Sequence, residues 1–272
     1  MKTPPLFYTC IIVISLSGLI LLGACSKDEV TELLPVNDTP GWIKDVEGNT
    51  YTTIRIGNQI WMAENLRVSK YNNGDPVPAG LGPQAWLHAT TGASAIYPYV
   101  DLNGIHSEAE TVNAYGRLYN WYAVTDARGL CPAGYRVPAN EDWLQLIDYV
   151  VNQYHWSTDP EDTDGIGNRL KSCRQMHSPA GGDCDTEKHP RWAPHSLHFG
   201  KDALGFAALP GGGRSYLGGF DGAAFYGGWW TTTRYSDNRA YFYRIELTSS
   251  GFFDDYTLLQ TGHSVRCVRN VD

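Results

Sequence analysis

The apolar positions of the chain fall into three patterns. From Cys10 to Leu22 they are nearly continuous, behind a cationic start at Lys2. A run that short falls below the ~20 residues a spanning helix needs and has the proportions of a signal-peptide core. From Trp42 the pattern changes. In DVEGNTYTTIRIGNQIWM, Tyr51, Thr53 and Arg55 alternate with Thr52, Ile54 and Ile56, and Gly48-Asn49 and Gly57-Asn58 punctuate the run. This reads as a β-meander opening the ordered part of the chain. The third pattern is helical. Tyr115, Leu118, Tyr119 and Tyr122 predict a helix over 114–124, ended near Gly129. After Pro138, Asn140 is placed to cap a second helix with Glu141 and Asp142 in its first turn, and Trp143, Ile147, Val150 and Tyr154 form its apolar stripe.

Between these elements the periodicity fails. Residues 26–41 are polar, with Pro35 and Pro40, and read as a tether. Residues 72–112 are rich in Gly and Pro and read as a long surface loop. Residues 155–200 are irregular except for a short helix over 168–172. From Gly205 to Arg269 the chain is Gly-rich with short strands, RAYFYRIEL and SVRCVRN among them.

Charge and composition narrow the function classes. The formal net charge is −8, which argues against a nucleic-acid partner. Seventeen Tyr, 9 Trp and 29 Gly against few charged residues describe an extracytoplasmic, turn-rich domain with many aromatic anchors. Of six cysteines, Cys10 lies in the apolar run and Cys25 just after it. The other four, Cys131, Cys173, Cys184 and Cys267, suggest two disulfides with three pairings open. The short loop through Pro179-Ala180-Gly181-Gly182 favours Cys173–Cys184, which leaves Cys131 with Cys267. Loop-closure entropy assigns them about 3 and about 5 kcal/mol.

Leu22-Gly23-Ala24-Cys25 resembles the lipobox of bacterial lipoproteins. The resemblance implies a signal peptide over 1–24, cleavage before Cys25, and a lipid on its sulfur. Residues 25–41 then form the lipidated tether. Acyl chains at ~0.8 kcal/mol per buried methylene hold such a protein in a membrane. Ser26-Lys27-Asp28-Glu29 is similar to the export signal of Bacteroidetes-type lipoproteins and implies display on the outer face of the outer membrane.

Further motifs carry a second resemblance. DVEGNTYTTIRIGNQIWMAENLRVSKYNNGDPVP, AYGRLYNWYAV, GLCPAGYRVPANEDW, GFAALPGGGRSYLGGF, GGWWTTT and SVRCVRN occur in this order. The chain resembles the Fibrobacter succinogenes major paralogous domain family, as one domain over 42–272 with an insertion near 155–199. The later motifs are similar to the C-type-lectin-like superfamily and its formylglycine-generating members. That likeness implies an α+β, C-type-lectin-like fold: two main helices on small twisted antiparallel sheets, with long Gly-rich loops.

The candidate chemistry is thin. The paired cysteines of formylglycine-generating enzymes have no counterpart between Cys184 and Cys267, and no nucleophile elbow, zincin motif or phosphate loop occurs. DPEDTDGIGN places Asp162 and Asp164 as in an EF-hand loop, but Pro160 and Lys171 replace its first and last acids. No cofactor and no metal are expected; the sequence leaves room only for a weak calcium site near Asp237-Asn238 or Asp254-Asp255. His189, His195 and His198 do not have zinc-site spacing and read as loop histidines. Arg214, Tyr216, Asp221, Trp229, Trp230, Tyr235 and Asn238 are the candidate ligand contacts, because sugars stack on flat aromatic faces. Core packing competes for the tryptophans, since a strand turns one of two neighbours inward. The expectation is a non-catalytic recognition or adhesion lipoprotein for a glycan or surface protein. The alternatives are a structural subunit of a surface or fimbrial assembly and a polysaccharide-active enzyme.

Alanine at Lys27, Asp28 and Glu29 together is expected to retain the protein inside the cell. Whole-cell protease shaving reads this directly, and continued removal of the variant would refute the address.

Overall fold

The computed structural model describes residues 41–271. The signal peptide, Cys25 and all but the end of the tether lie outside the described residues. The meander appears as β1 (Trp42–Lys44), β2 (Thr50–Ile56) and β3 (Gln59–Met62). Next come α1 (Pro83–Leu87), β4 (Ser94–Ala95), α2 (Glu108–Tyr115), β5 (Leu118–Tyr119) and α3 (Trp121–Val124). The long helix α4 (Asn140–Tyr154) and the short α5 (Ile166–Leu170) follow. The Gly-rich end of the chain supplies β6 (Gly211–Arg214), β7 (Phe220–Ala223), β8 (Tyr226–Ser236), β9 (Arg239–Glu246), β10 (Phe253–Leu258) and β11 (Val268–Asn270).

The class is α+β. One sheet has the order β1-β2-β3-β11, so the last strand returns to the opening meander. A second has the order β10-β9-β8-β6-β7 and is antiparallel except between β6 and β8, and β4 and β5 pair as a small third. Among the described residues, no helix is long and apolar enough to cross a membrane.

The long sheet is buried on both faces, because two cores meet it. Trp230 and Phe242 face a cluster with Tyr119, Trp121 and Val265. Trp229, Tyr243 and Ile245 face a second, with Trp61 and the α4 residues Trp143, Leu146 and Val150. Trp143 lies 4.4 Å from the Trp61 ring and stacks on Tyr243. The segment over 155–199 joins this second cluster through Trp156, Ile166, Leu170 and Trp192. Buried Lys171 staples it further: Nζ donates to Asn168 Oδ1 and to the carbonyls of His198, Leu247 and Ser249. Burial pulls its pKa down to about 7.

Three expectations need correction. The helix over 114–124 is broken. Gly116 takes φ +78°, and a Cβ there would sit 2.7 Å from the Asn65 side chain and 2.8 Å from the Leu66 carbonyl oxygen. The chain turns there, so α2 ends, β5 intervenes and α3 starts afresh with Asn120 Oδ1 accepting from the Ala123 N–H. The loop over 72–112 contains α1 and the start of α2, where Ser107 rather than a glycine caps the first turn. In α4, Asn140 is not the cap. Asp142 reaches back to the Ala139 N–H at 2.7 Å, and Tyr154 of the expected stripe is exposed. Both disulfides form as expected, Cys131–Cys267 and Cys173–Cys184.

The elements converge on Asn65, just past β3. Its amide donates to Tyr115 O and Ser264 Oγ, and its carbonyl accepts from Trp229 Nε1 at 2.9 Å and Arg266 Nε at 3.1 Å. All four bonding positions of the side chain are used. Arg266 is fully buried; it also donates to the carbonyls of Met62, Phe206 and Ala207 and lies over the Phe206 and Trp229 rings. Burial pulls its pKa down to about 9. Asn65→Ala leaves a buried indole N–H and a buried guanidinium short of an acceptor. The expected loss is about 3 kcal/mol in urea denaturation, and an unchanged midpoint would show the junction to be dispensable.

Candidate functional site

A cleft of 660 Å³ opens between the end of α3, the segment from Cys131 to Val137 and the start of α4. Two backbone devices build it. The Cys131–Cys267 disulfide ties its inner wall to the chain just before β11. Asn72 Nδ2 donates to Cys131 O at 2.7 Å and fixes the opposite lip. The rim is polar, with Thr125, Asp126, Arg136, Glu141 and Thr232.

The acids there are largely committed. Arg128 bonds Asp126 through Nε at 2.9 Å and Nη2 at 2.8 Å and holds its carboxyl down at about 2. Asp142 accepts both terminal nitrogens of Arg136, as well as the Ala139 N–H. That pairing raises the Arg136 pKa. Both carboxylates are thus engaged by arginines.

Beyond the cleft lies an aromatic ledge. The end of β8 is clamped to the cleft by Thr232 N–H donating to Pro138 O and by Thr233 Oγ1 accepting from the Asn140 N–H. The register of β8 against β9 shifts between Trp230 and Arg234, a bulge that redirects the strand end. Past it, Tyr235 stacks on Tyr256 of β10, with ring centroids 3.7 Å apart and planes within 1°. Tyr241 of β9 stands edge-on to Tyr235 at 5.4 Å. Tyr235 is 48% and Tyr256 38% exposed, while Arg239 lies over the Tyr256 ring. Asn238 and Asp237 form the adjoining turn and are exposed. Three strands thus place three tyrosines and several hydrogen-bonding groups on one surface.

The structure divides the residues expected from sequence. Trp229 and Trp230 are both 0% exposed, so neither can meet a ligand in this fold. Their N–H groups go to Asn65 Oδ1 and to Tyr119 O. One had been expected outward, but the sheet has a core on each face. Arg214 is buried too; it donates to Gly218 O and Leu81 O and lies 4.1 Å over Trp86. It pins the β6–β7 hairpin to the chain before α1. Tyr216 and Asp221 are exposed on that hairpin, and Tyr235 and Asn238 on the ledge. Sequence reasoning missed Tyr241 and Tyr256. Their signal was pairing, since they sit opposite each other in the β9–β10 register.

Several of the acids and histidines weighed as metal ligands bond within the chain. Asp164 pairs with Arg169 and Lys201, and Asp162 Oδ1 accepts the Asp164 N–H. Asp254 and Asp255 are neighbours in β10, where successive side chains take opposite faces, and Asp255 pairs with Arg244. His195 Nδ1 accepts the His198 N–H, while His189 bonds Tyr115 and Asn103 O. Among the described residues, no group of three or more metal-ligating side chains converges.

Trp229→Ala and Trp230→Ala are each expected to cost about 3–5 kcal/mol of stability. Tyr235→Ala is expected to cost less than about 1.5 kcal/mol, because its half-exposed ring packs only on the two ledge tyrosines, Tyr241 and Tyr256. Thermal and urea denaturation of the three variants separates core from ledge; equal losses would contradict this division.

Comparison with known proteins found no similar curated protein and no similar solved structure. The family model described as the Fibrobacter succinogenes major domain matches residues 54–269. This stretch runs from β2 through β11 and includes the Asn65 junction, the cleft and the ledge. The chain therefore belongs to the Fibrobacter succinogenes major domain family.

Proposed function

We propose that this protein is a lipid-anchored recognition lipoprotein of the outer membrane that binds a glycan on the ledge of Tyr235, Tyr241 and Tyr256. The observation that carries the proposal is the exposed, parallel Tyr235–Tyr256 pair beside a 660 Å³ cleft. Aromatic faces held rigid by their neighbours take sugar rings at little entropic cost, and function concentrates on such hairpin ends. Asn238, Asp237 and Arg239 supply donors and acceptors for hydroxyls at the same edge.

The reading is non-catalytic. Of the three cleft carboxylates, Asp126 and Asp142 are bound to arginines, which leaves Glu141 without a second free acid to share acid and base roles. The finer fold reading is C-type-lectin-like: helices packed on small antiparallel sheets, with loops and hairpin ends carrying the exposed groups. Lipidation of Cys25 and the acids after it would hold the domain on the cell surface, facing glycans of a host or a neighbouring cell.

A glycan array probed with the soluble mature chain, carrying Cys25→Ser, tests this with calcium and with EDTA. Specific retention is expected, falling about tenfold or more in Tyr235→Ala/Tyr256→Ala, since aromatic contacts of this kind are worth roughly 1.5 kcal/mol. Silence in both conditions would overturn the glycan reading and direct attention to a protein ligand through a cell-surface pull-down.

A further inference from the structure

A second concavity, of 400 Å³, lies between the β2–β3 turn and the outward face of α4. It falls within the size range of small-molecule sites. Its lining is rich in side-chain amides. Gln145, Asp148, Tyr149, Asn152 and Gln153 follow one another at helical spacing, and Asn58 faces them from the turn. No lysine, arginine or glutamate lines this groove. The solvent face of a surface helix carries charged and polar side chains alike, and here a single charge, Asp148, stands among the amides. This one offers amides, each with two donors and an acceptor in a fixed plane. Among the described residues, none of the side chains of Asn58, Gln145, Asp148, Asn152 and Gln153 is used in an internal hydrogen bond or ion pair.

The groove is also held rigid. Gly57 takes φ +61°, and a Cβ there would lie 2.9 Å from the Tyr149 ring, so the turn presses directly on that tyrosine. On its other side Tyr149 meets Tyr154 edge-on at 5.9 Å. Tyr154 stacks on Trp156, which Arg169 covers from beyond. This ladder exists because His155 ends α4 in the left-handed region at φ +55° and folds Trp156 back against Tyr154. The result is an exposed aromatic, Tyr154, fixed close to a row of unspent amides.

We propose that this groove is a second binding site, for a neutral oligosaccharide. Amides paired across a groove match the donor–acceptor sequence of vicinal sugar hydroxyls, and a single carboxylate, Asp148, can accept from two of them. The lining side chains carry no positive charge, and Arg55, beside the turn, has its Nε committed to the Gly57 carbonyl, so the site favours neutral sugars over uronates, sialic acids and sulfated or phosphorylated ones. The site shares no residue with the tyrosine ledge and stands or falls independently of it.

The test is an array carrying neutral gluco-, manno- and galacto-oligosaccharides beside sialylated and sulfated ones, probed with the soluble mature chain. Three forms are compared: wild type, Gln145→Ala/Asn152→Ala, and Tyr235→Ala/Tyr256→Ala. The altered α4 residues are exposed, so circular dichroism is expected to be unchanged. Neutral oligosaccharides are expected to be retained by the wild type and to lose about tenfold or more in affinity in the α4 variant, two hydrogen-bonding amides being removed. The same component is expected to persist in the tyrosine variant. Asp148→Asn should weaken it as well. No retained neutral glycan, or equal retention by wild type and the α4 variant, would overturn the proposal; so would retention confined to acidic glycans.

Discussion

The fold depends on one buried guanidinium. Arg266 is fully removed from water, and the acceptors around it are a side-chain amide and backbone carbonyls rather than a directly bonded carboxylate. A buried charge is tolerable only when its donors are met, so every acceptor must be in place together. Those acceptors come from distant parts of the chain: Asn65 after β3, Met62 in β3, and Phe206 and Ala207 before β6. Asn65 adds Trp229 and Tyr115 to the same junction. The requirement therefore aligns the opening meander, the end of α2, the long sheet and the final strand at one point. Gly116 belongs to the same constraint, because any side chain there would displace Asn65.

Around this junction the long sheet separates two cores, and the separation explains where function can sit. The inner strands β8 and β9 have no free face over most of their length. Along β8, Tyr235 reaches water where the strand bulges and runs past the cores. The ledge is therefore a consequence of sheet length: β8 extends over eleven residues, and its last three are exposed. The two concavities flank α4 in complementary ways. The cleft is walled by its first turn and by the disulfide-tied segment before it, and the groove runs along its outer face. One helix, anchored through Trp143, Leu146 and Val150, thus supports both surfaces while committing only its inner stripe to the core.

The irregular segment over 155–199 forms a layer against the second core. Trp192 and Trp156 pack into it, and Lys171 bonds across to the segment between β9 and β10. Four oxygens around one nitrogen bring α5, the segment near His198 and the sheet edge together. Its own disulfide, Cys173–Cys184, closes the most irregular part of the segment. The aromatic ladder from Tyr149 to Trp156 begins where α4 hands over to this layer.

Local chemistry was legible in the sequence. Turn dipeptides at Gly48-Asn49 and Gly57-Asn58 set the meander; the apolar stripe and first-turn acids located α4; cysteine spacing named both disulfides; and ordered motifs identified the family. These features depend on neighbours a few residues away or on pairings with few alternatives. Tertiary structure decided the rest. Period-two alternation says which residues share a strand face but not whether that face meets water or a second core, so the burial of both Trp229 and Trp230 was hidden. The helical spacing of Tyr115, Leu118, Tyr119 and Tyr122 was real, but Gly116 had to turn the chain against Asn65, fifty-one positions earlier. The ledge joins Tyr235, Tyr241 and Tyr256 from three strands, and only strand register makes them neighbours. Contacts between distant segments are set by packing and by the satisfaction of buried polar groups, which no local pattern of residues encodes.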